Sequence, residues 1–332
     1  VKRIPVYLLL ILFGAISACT KKTESSEIIK IPYSDPTYTR LFYSNQNIFL
    51  DTYFTDQDNA IQLRSSNGNN TGGIAILKKS AGTDFQTIVS LPQMYEAGEL
   101  TMADTKTGYF AGGSSLLQLY KTTDGGNTWA NIYTAPFDIL GLAAPDDHNV
   151  FLIAQSTLYK SADGGNTWNV SIPQNFNNPP NSVYFYNNTL GFVALYYGQM
   201  LKTTDGGQNW VQITLPTTYQ ISDVFFVNAT NGFATAGGEN YLFGTTDGGN
   251  TWTKVSQNTL INSGKVFFYP DGRGIIVVRG EHVLYSRDFG KTTKLFLDDV
   301  GGNTSANIQA GNDTTLMISC NKSIYKINFS KK

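Results

Sequence analysis

The sequence predicts an all-β protein: one seven-bladed β-propeller with four-stranded antiparallel blades, its ring closed by N- and C-terminal strands that share a blade. Three observations predict it. A short motif, [S/T]-x-D-G-G-x-x-W, recurs at a spacing of about forty residues, the length of one four-stranded blade. Between the copies, turn-bounded runs rich in aromatic and β-branched residues follow one another in a fixed order, as strands do. Beyond the N-terminal segment almost nothing has helical periodicity. A length of 332 residues would suggest two domains, but a repeat running through most of the chain favours one.

The N-terminal segment is set apart. Lys2 and Arg3 form a positive n-region, Val6 to Phe13 is an apolar run, and Gly14-Ala15-Ile16-Ser17-Ala18-Cys19 supplies small residues ending in cysteine. The apolar run is about half the ~20 residues needed to span a bilayer, which disfavours a permanent transmembrane helix. Ile16-Ser17-Ala18-Cys19 resembles the bacterial lipobox, which implies that Cys19 is acylated and becomes the first residue of the mature chain. The tight spacing favours this over an ordinary signal peptide with a chance cysteine. The expected organisation is a lipoprotein signal peptide over 1–18, a lipidated tether rich in Lys, Ser and Glu over 19–35, and the propeller over 36–330. Thr20, where aspartate would mark inner-membrane retention, points to the outer membrane.

Four boxes are nearly identical: Thr122 to Trp129, Ser161 to Trp168, Thr203 to Trp210 and Thr245 to Trp252. A fifth, Ser286 to Thr293, keeps its hydroxyl, Asp288 and Gly290 but has no tryptophan. One period earlier, Lys79 to Phe85 reads as a sixth, badly degraded copy. The strand order is clearest at Ile221 to Phe226, Gly232 to Gly237 and Tyr241 to Gly244. Past the fifth box, Ala306 to Gln309, Thr315 to Ser319 and Ser323 to Phe329 supply three strands and no fourth. Thr39 to Tyr43, at the other end, is placed to complete that blade and so close the ring, which removes exposed sheet edges.

The box has the chemistry of a turn. A carboxylate accepts N–H groups of its own loop, glycines take positive φ without steric cost, and the Trp anchors the loop to the blade. Asp124, Asp163, Asp205, Asp247 and Asp288 with Trp129, Trp168, Trp210 and Trp252 are therefore read as structural. One carboxylate per loop is too few for calcium, and no metal or other cofactor is expected. The motif resembles the Asp-box, or bacterial neuraminidase repeat, of sialidases, sortilin ectodomains, xyloglucanases and the photosystem II stability and assembly factor family. The overall likeness is closest to the assembly-factor type, here as a bacterial lipoprotein within the sialidase-like superfamily. That resemblance implies that the boxes occupy one face and that function sits on the opposite one.

Candidate partner-binding residues on that opposite face are Tyr95, Glu96, Phe137, Phe176 and Tyr219 in the connections between blades. Tyr197, Glu239, Arg279 and Glu281 join them from the turns between second and third strands. Catalytic residues are not identified. A sialidase needs three convergent arginines, and after cleavage only Arg40, Arg64, Arg273, Arg279 and Arg287 remain. Arg3-Ile4-Pro5 matches a sialidase motif but lies in the discarded leader. Xyloglucanases of this repeat class place their carboxylates between two propellers, and this chain has strands for one. His148 and His282 are the only histidines, and no nucleophile elbow or phosphate loop is present.

Lys and Arg number 24 against 25 Asp and Glu, so a broad nucleic-acid surface is not indicated. If Cys19 is acylated, Cys320 has no disulfide partner. The assembly-factor family carries an arginine-rich partner patch, which this arginine-poor chain lacks. The expected role is a membrane-anchored, non-catalytic, monomeric scaffold in the cell envelope that binds a protein or glycan. The alternative is a sialidase-like glycoside hydrolase acting on envelope or imported glycans.

Overall fold

The computed structural model describes residues 35–329 apart from 44–47, 57, 66–72, 92–95, 114–116, 136–138, 155, 173–177, 239, 259, 262, 279–281, 299–306 and 321–322. Asp35–Ser330 forms one compact unit. The expected signal peptide, Cys19 and all of the expected tether except Asp35 lie outside the described residues. Among the described residues no helix is long and apolar enough to cross a membrane.

Strand β1 (Thr37–Tyr43) opens the chain order. Blade 1 follows with β2 (Ile48–Phe54), β3 (Ala60–Ser65), β4 (Ile74–Lys79) and β5 (Gln86–Leu91). Blade 2 has β6 (Glu96–Met102), β7 (Gly108–Gly113), β8 (Leu117–Thr122) and β9 (Ala130–Ala135). In blade 3 come β10 (Ile139–Ala143), β11 (Val150–Ala154), β12 (Thr157–Ser161) and β13 (Asn169–Ile172). Blade 4 comprises β14 (Pro180–Phe185), β15 (Gly191–Leu195), β16 (Gln199–Thr203) and β17 (Val211–Thr214). Blade 5 comprises β18 (Ile221–Phe226), β19 (Gly232–Ala236), β20 (Tyr241–Thr245) and β21 (Thr253–Gln257). Blade 6 runs through β22 (Gly264–Phe268), β23 (Gly274–Val278), β24 (His282–Ser286) and β25 (Lys294–Asp298). The last three strands are β26 (Asn307–Asn312), β27 (Thr315–Cys320) and β28 (Ser323–Asn328).

These strands make seven four-stranded antiparallel sheets, and the seventh has the order β1-β28-β27-β26. The N-terminal strand is thus the outer strand of the last blade, paired from Thr37 opposite Asn328 to Tyr43 opposite Ser323. First strands of successive blades touch around the ring, and β2 meets β26 to complete it. The protein is a seven-bladed β-propeller.

The core lies between blades. Each second strand of blades 3 to 6 is buried along its whole length, for example Val-Phe-Leu-Ile-Ala in β11, because both of its faces meet a neighbouring sheet. Seven apolar clusters each join two successive blades. A large one unites Phe192, Met200, Phe226, Phe243 and Trp252 across blades 4 and 5. Another small one, Phe54, Ala60, Met317 and Ile324 with Phe85 against it, joins blade 7 to blade 1.

Strand direction fixes the two faces of the disc. The turn between first and second strands shares a face with the box, and the turn between second and third strands shares the other with the blade-to-blade connections. As a third and a fourth strand of the last blade, β28 ends and β1 begins on the box face. There Asp35 accepts hydrogen bonds from the Tyr285 hydroxyl at 2.8 Å and from Arg287 at 3.0 Å.

Candidate functional site

The box loops are closed on themselves. In blade 2, Asp124 Oδ1 accepts the N–H groups of Asn127 and Thr128 at 2.9 Å, and Oδ2 accepts the Thr128 hydroxyl at 2.6 Å. The Thr122 hydroxyl donates to Asp124 at 2.8 Å and accepts the Gly126 N–H at 2.9 Å. Trp129 Nε1 donates to the Gly126 carbonyl at 3.2 Å. The same carboxylate and hydroxyl wiring recurs around Asp163, Asp205 and Asp247, though Trp210 Nε1 donates to the Ser171 hydroxyl instead of its own glycine. Asp288 keeps its bonds to the N–H and hydroxyl of Thr292. Hydrogen bonds from Thr128 hold the Asp124 carboxyl down at about 2, and those from Thr167 do the same for Asp163. Bonds from Asn209 take Asp205 to about 2, and bonds from Thr251 lower Asp247 further. A carboxylate spent in this way on its own loop is a turn-former.

A lysine ties each of these boxes to the blade before it. Lys78 Nζ reaches the Gly125 carbonyl at 2.9 Å, Lys121 reaches Gly164 at 3.0 Å, and Lys160 reaches Gly206 at 2.7 Å. Lys202 donates to Asn250 Oδ1 at 2.7 Å. The ties do not follow from the box motif, although a lysine directly before the hydroxyl residue in Lys121-Thr122, Lys160-Ser161 and Lys202-Thr203 is a visible signal for them.

Two of the candidate face residues, Tyr197 and Tyr219, are described in full, and the structure brings them together. Tyr197 is 68 % exposed in the β15–β16 turn, and Tyr219 is 47 % exposed in the connection from β17 to β18. Gly198 N–H donates to the Tyr219 carbonyl at 2.7 Å, and Gly198 O accepts the Leu215 N–H at 2.8 Å. Tyr196 joins them, with its ring 6.4 Å from that of Tyr197. The Tyr219 ring lies on the Gly238 backbone, where a Cβ would stand 2.4 Å from the ring. Tyr197 holds φ at +57°, a left-handed conformation that costs a bulky residue about 1–3 kcal/mol, and two neighbouring segments hold it there. Tyr95, Phe137, Phe176, Glu239, Arg279 and Glu281 lie outside the described residues. Glu96 begins β6 opposite Gly113, and its side chain is also outside them.

A second constellation sits at the axis. The first strands of five blades carry a bulge near their start, in β2, β6, β10, β14 and β18. At or just after each bulge stand Asp51, Glu99, Gly141, Ser182 and Asp223, and Lys265 holds the equivalent register in β22. Each acid bonds the next blade. Asp51 accepts the Leu100 N–H at 2.8 Å, Glu99 the Leu142 N–H at 2.7 Å, and Asp223 the Val266 N–H at 2.9 Å. Lys265 Nζ lies 3.1 Å from Asp223, and its side chain is 48 % exposed. Asp223 foremost raises the Lys265 ammonium, while burial pushes the carboxyls of Asp51 and Asp223 up and takes Glu99 to about 7. Glu99 sits in β6 within a bulge that hides the strand alternation around it.

The described arginines serve the fold. Buried Arg273 bonds Asp271 and the carbonyls of Phe329 and Asp313, and Arg287 bonds Asp35 on the box face. Arg40 lies on β1, and Arg64 in β3 donates to Gln62. Among the described residues one group, Asp146, Asp147 and His148, brings possible metal-ligand atoms within 4.8 Å of one another in the β10–β11 turn. There Asp146 already accepts the N–H groups of His148 and Asn149.

Comparison with known proteins bears on this arrangement. Residues 208–331 match the family model of photosynthesis system II assembly factor YCF48. The match runs from the blade 4 box through the last blade, somewhat over a third of the chain. No curated protein sequence matches. Among solved structures, YCF48 bound to D1 peptide superposes with a TM-score of 0.64 at 14 % identity, covering 92 % of this chain and 100 % of that one. YCF48 from Cyanidioschyzon merolae gives 0.64 at 16 % identity, covering 88 % and 98 %. A GH74 xyloglucanase from Xanthomonas campestris also gives 0.64, at 13 % identity, with 88 % of this chain covered but 53 % of the enzyme. The chain is similar to YCF48-type and xyloglucanase propellers in fold, and it spans about half of that enzyme.

Proposed function

We propose that this chain is a non-catalytic scaffold of the cell envelope, anchored in the outer membrane through a lipid on Cys19, that binds a protein or glycan partner on its loop-bearing face. The tyrosine cluster of Tyr196, Tyr197 and Tyr219 carries this reading. Exposed aromatic rings on a rigid backbone offer large contact area at low entropic cost, which is what a binding surface needs. A protein partner is favoured, because a propeller of the same fold, YCF48, has a D1 peptide bound.

The hydrolase alternative draws on the axial carboxylates, of which Glu99 has the raised affinity for a proton that a general acid requires. It is the weaker reading because all three acids are bonded to the backbone of the next blade.

The test is a photo-crosslinking aromatic placed at position 197, 219 or 128 of the full chain in its native membrane. A discrete adduct is expected from 197 and 219 and none from Thr128 on the box face. Equal labelling from all three positions, or none from any, refutes the binding face. Retention in the membrane fraction after Cys19→Ser refutes the anchor.

A further inference from the structure

The axial ring has a chemistry that the proposed binding role does not use. Around one level of the bore the equivalent positions are Asp51, Glu99, Gly141, Ser182, Asp223, Lys265 and Asn307, whose side chain reaches Asp51. Three carboxyl groups face one ammonium, so full ionisation leaves two excess negative charges between low-dielectric walls. Two of the acids are placed to manage this. Asp223 has Lys265 at 3.1 Å, and Asp51 takes donors from Thr52 at 2.7 Å, Asn307 at 3.0 Å and Leu100 at 2.8 Å. Glu99 has the Leu142 N–H at 2.7 Å and feels the charges of Asp51 and Asp223 as repulsion.

We propose that this ring is a proton-operated clasp: uptake of one proton by the Glu99 carboxyl, as the surroundings pass from mildly alkaline to mildly acidic, tightens the union of blades 1, 2 and 3. The protonated group still accepts the Leu142 N–H and gains an O–H donor, while the ring drops to one excess negative charge. Among the described residues the charged groups facing Glu99 are Asp51 from β2, Asp223 from β18 and Lys265 from β22. Strand β10 and β26 present no titratable side chain. The remaining titratable groups of these strands are tyrosines bonded elsewhere: Tyr109 of β7 to the blade 3 box, Tyr53 of β2 to Gln309, and Tyr184 of β14 to Phe226.

The direction follows from linkage. The carboxyl binds its proton more tightly in the folded chain, so its contribution is complete below its ordinary value of 4.5 and is lost as pH rises to about 7. Urea unfolding of the full chain is compared with that of Glu99→Gln from pH 5 to pH 8. Native protein should lose stability across this window, and Glu99→Gln should be flatter and roughly ten- to hundredfold more stable in its folding constant at pH 8. His148 and His282 are present in both proteins and cancel in the difference. A second readout is hydrogen exchange at the Leu142 amide, corrected for the intrinsic rate, which should slow below pH 7. Asp51→Asn should move that transition to lower pH, and Lys265→Met should move it higher. Parallel pH profiles for native protein and Glu99→Gln overturn the proposal. So does a Leu142 amide whose protection ignores pH in the native chain, a result that stands even if Glu99→Gln fails to fold.

Discussion

Blades 2 to 5 differ from the region where the ring closes, blades 6, 7 and 1. In the first group every box has its aspartate, paired glycines and Trp, and the lysine of the preceding blade reaches into it. In blade 6 the first glycine, the Trp and the lysine are gone, although Asp288 keeps its bonds to Thr292. Phe289 stands where the first glycine would be, at φ +58°, and stacks on Phe233, while Gly244 holds the register of the missing lysine in blade 5. Blade 7 has no box, since its third and fourth strands come from opposite ends of the chain. Phe329 and Arg273 fill its place on one side, and Asp35 bonded to Tyr285 and Arg287 fills it on the other. The repeat wires neighbours that are continuous in sequence, and the junction of the chain ends needs contacts of its own.

Blade 1 shows the cost. Lys79 to Phe85 is a tight turn, with Thr83 N–H bonded to the Ser80 carbonyl at 3.0 Å, and Lys79 holds the register of the box hydroxyl. Phe85 takes the Trp position beside a shallow pocket that it lines with Leu41, Phe54, Ala60, Met317 and Ile324. A pocket thus opens at the junction of blades 7 and 1, and three comparisons test whether that junction is the weakest.

The largest contrast is expected in the anchors. Trp252 is buried against Phe226, so Trp252→Ala should cost about 3–5 kcal/mol in chemical unfolding. Phe85→Ala, beside an existing pocket, should cost about 1–2 kcal/mol; equal losses would remove the distinction between regions. Next come two glycines with the same backbone. At Gly249, φ +80°, an added Cβ would meet Phe192 at 2.7 Å; at Gly82, φ +73°, it would meet nothing within 4 Å. Gly249→Ala should lower stability by about 2–4 kcal/mol and Gly82→Ala by about 1 kcal/mol, read from melting curves. The smallest effect belongs to the lysine ties. Lys160→Met keeps the stem packed and removes the bond to Gly206, which should cost about 1 kcal/mol and raise amide exchange locally in the blade 4 box. Uniform change across the molecule would deny the tie its local role.

Much of the fold was legible because a box states its own geometry. Asp, Gly and Trp at fixed offsets prescribe a hairpin whatever surrounds it, so counting boxes and leftover strands led to seven blades and a composite closure. The candidate face was less legible. Tyr197 and Tyr219 could be placed by loop order, but the Gly198–Tyr219 hydrogen bond and the packing of the Tyr219 ring on Gly238 join segments of blades 4 and 5. The axial acids went unnoticed, since Asp51, Glu99 and Asp223 share no motif and sit beside bulges that disrupt alternation.

By itself, then, the sequence determined what depends on neighbours along the chain: hairpins, blade length, strand order and the number of blades. Tertiary structure alone decided what depends on neighbours around the ring: the lysine ties, the tyrosine cluster and the axial charge ring. The physical reason is distance along the chain. Residues far apart in sequence meet only once neighbouring blades have packed together, and burial then sets their hydrogen bonds and protonation in a way no local pattern encodes.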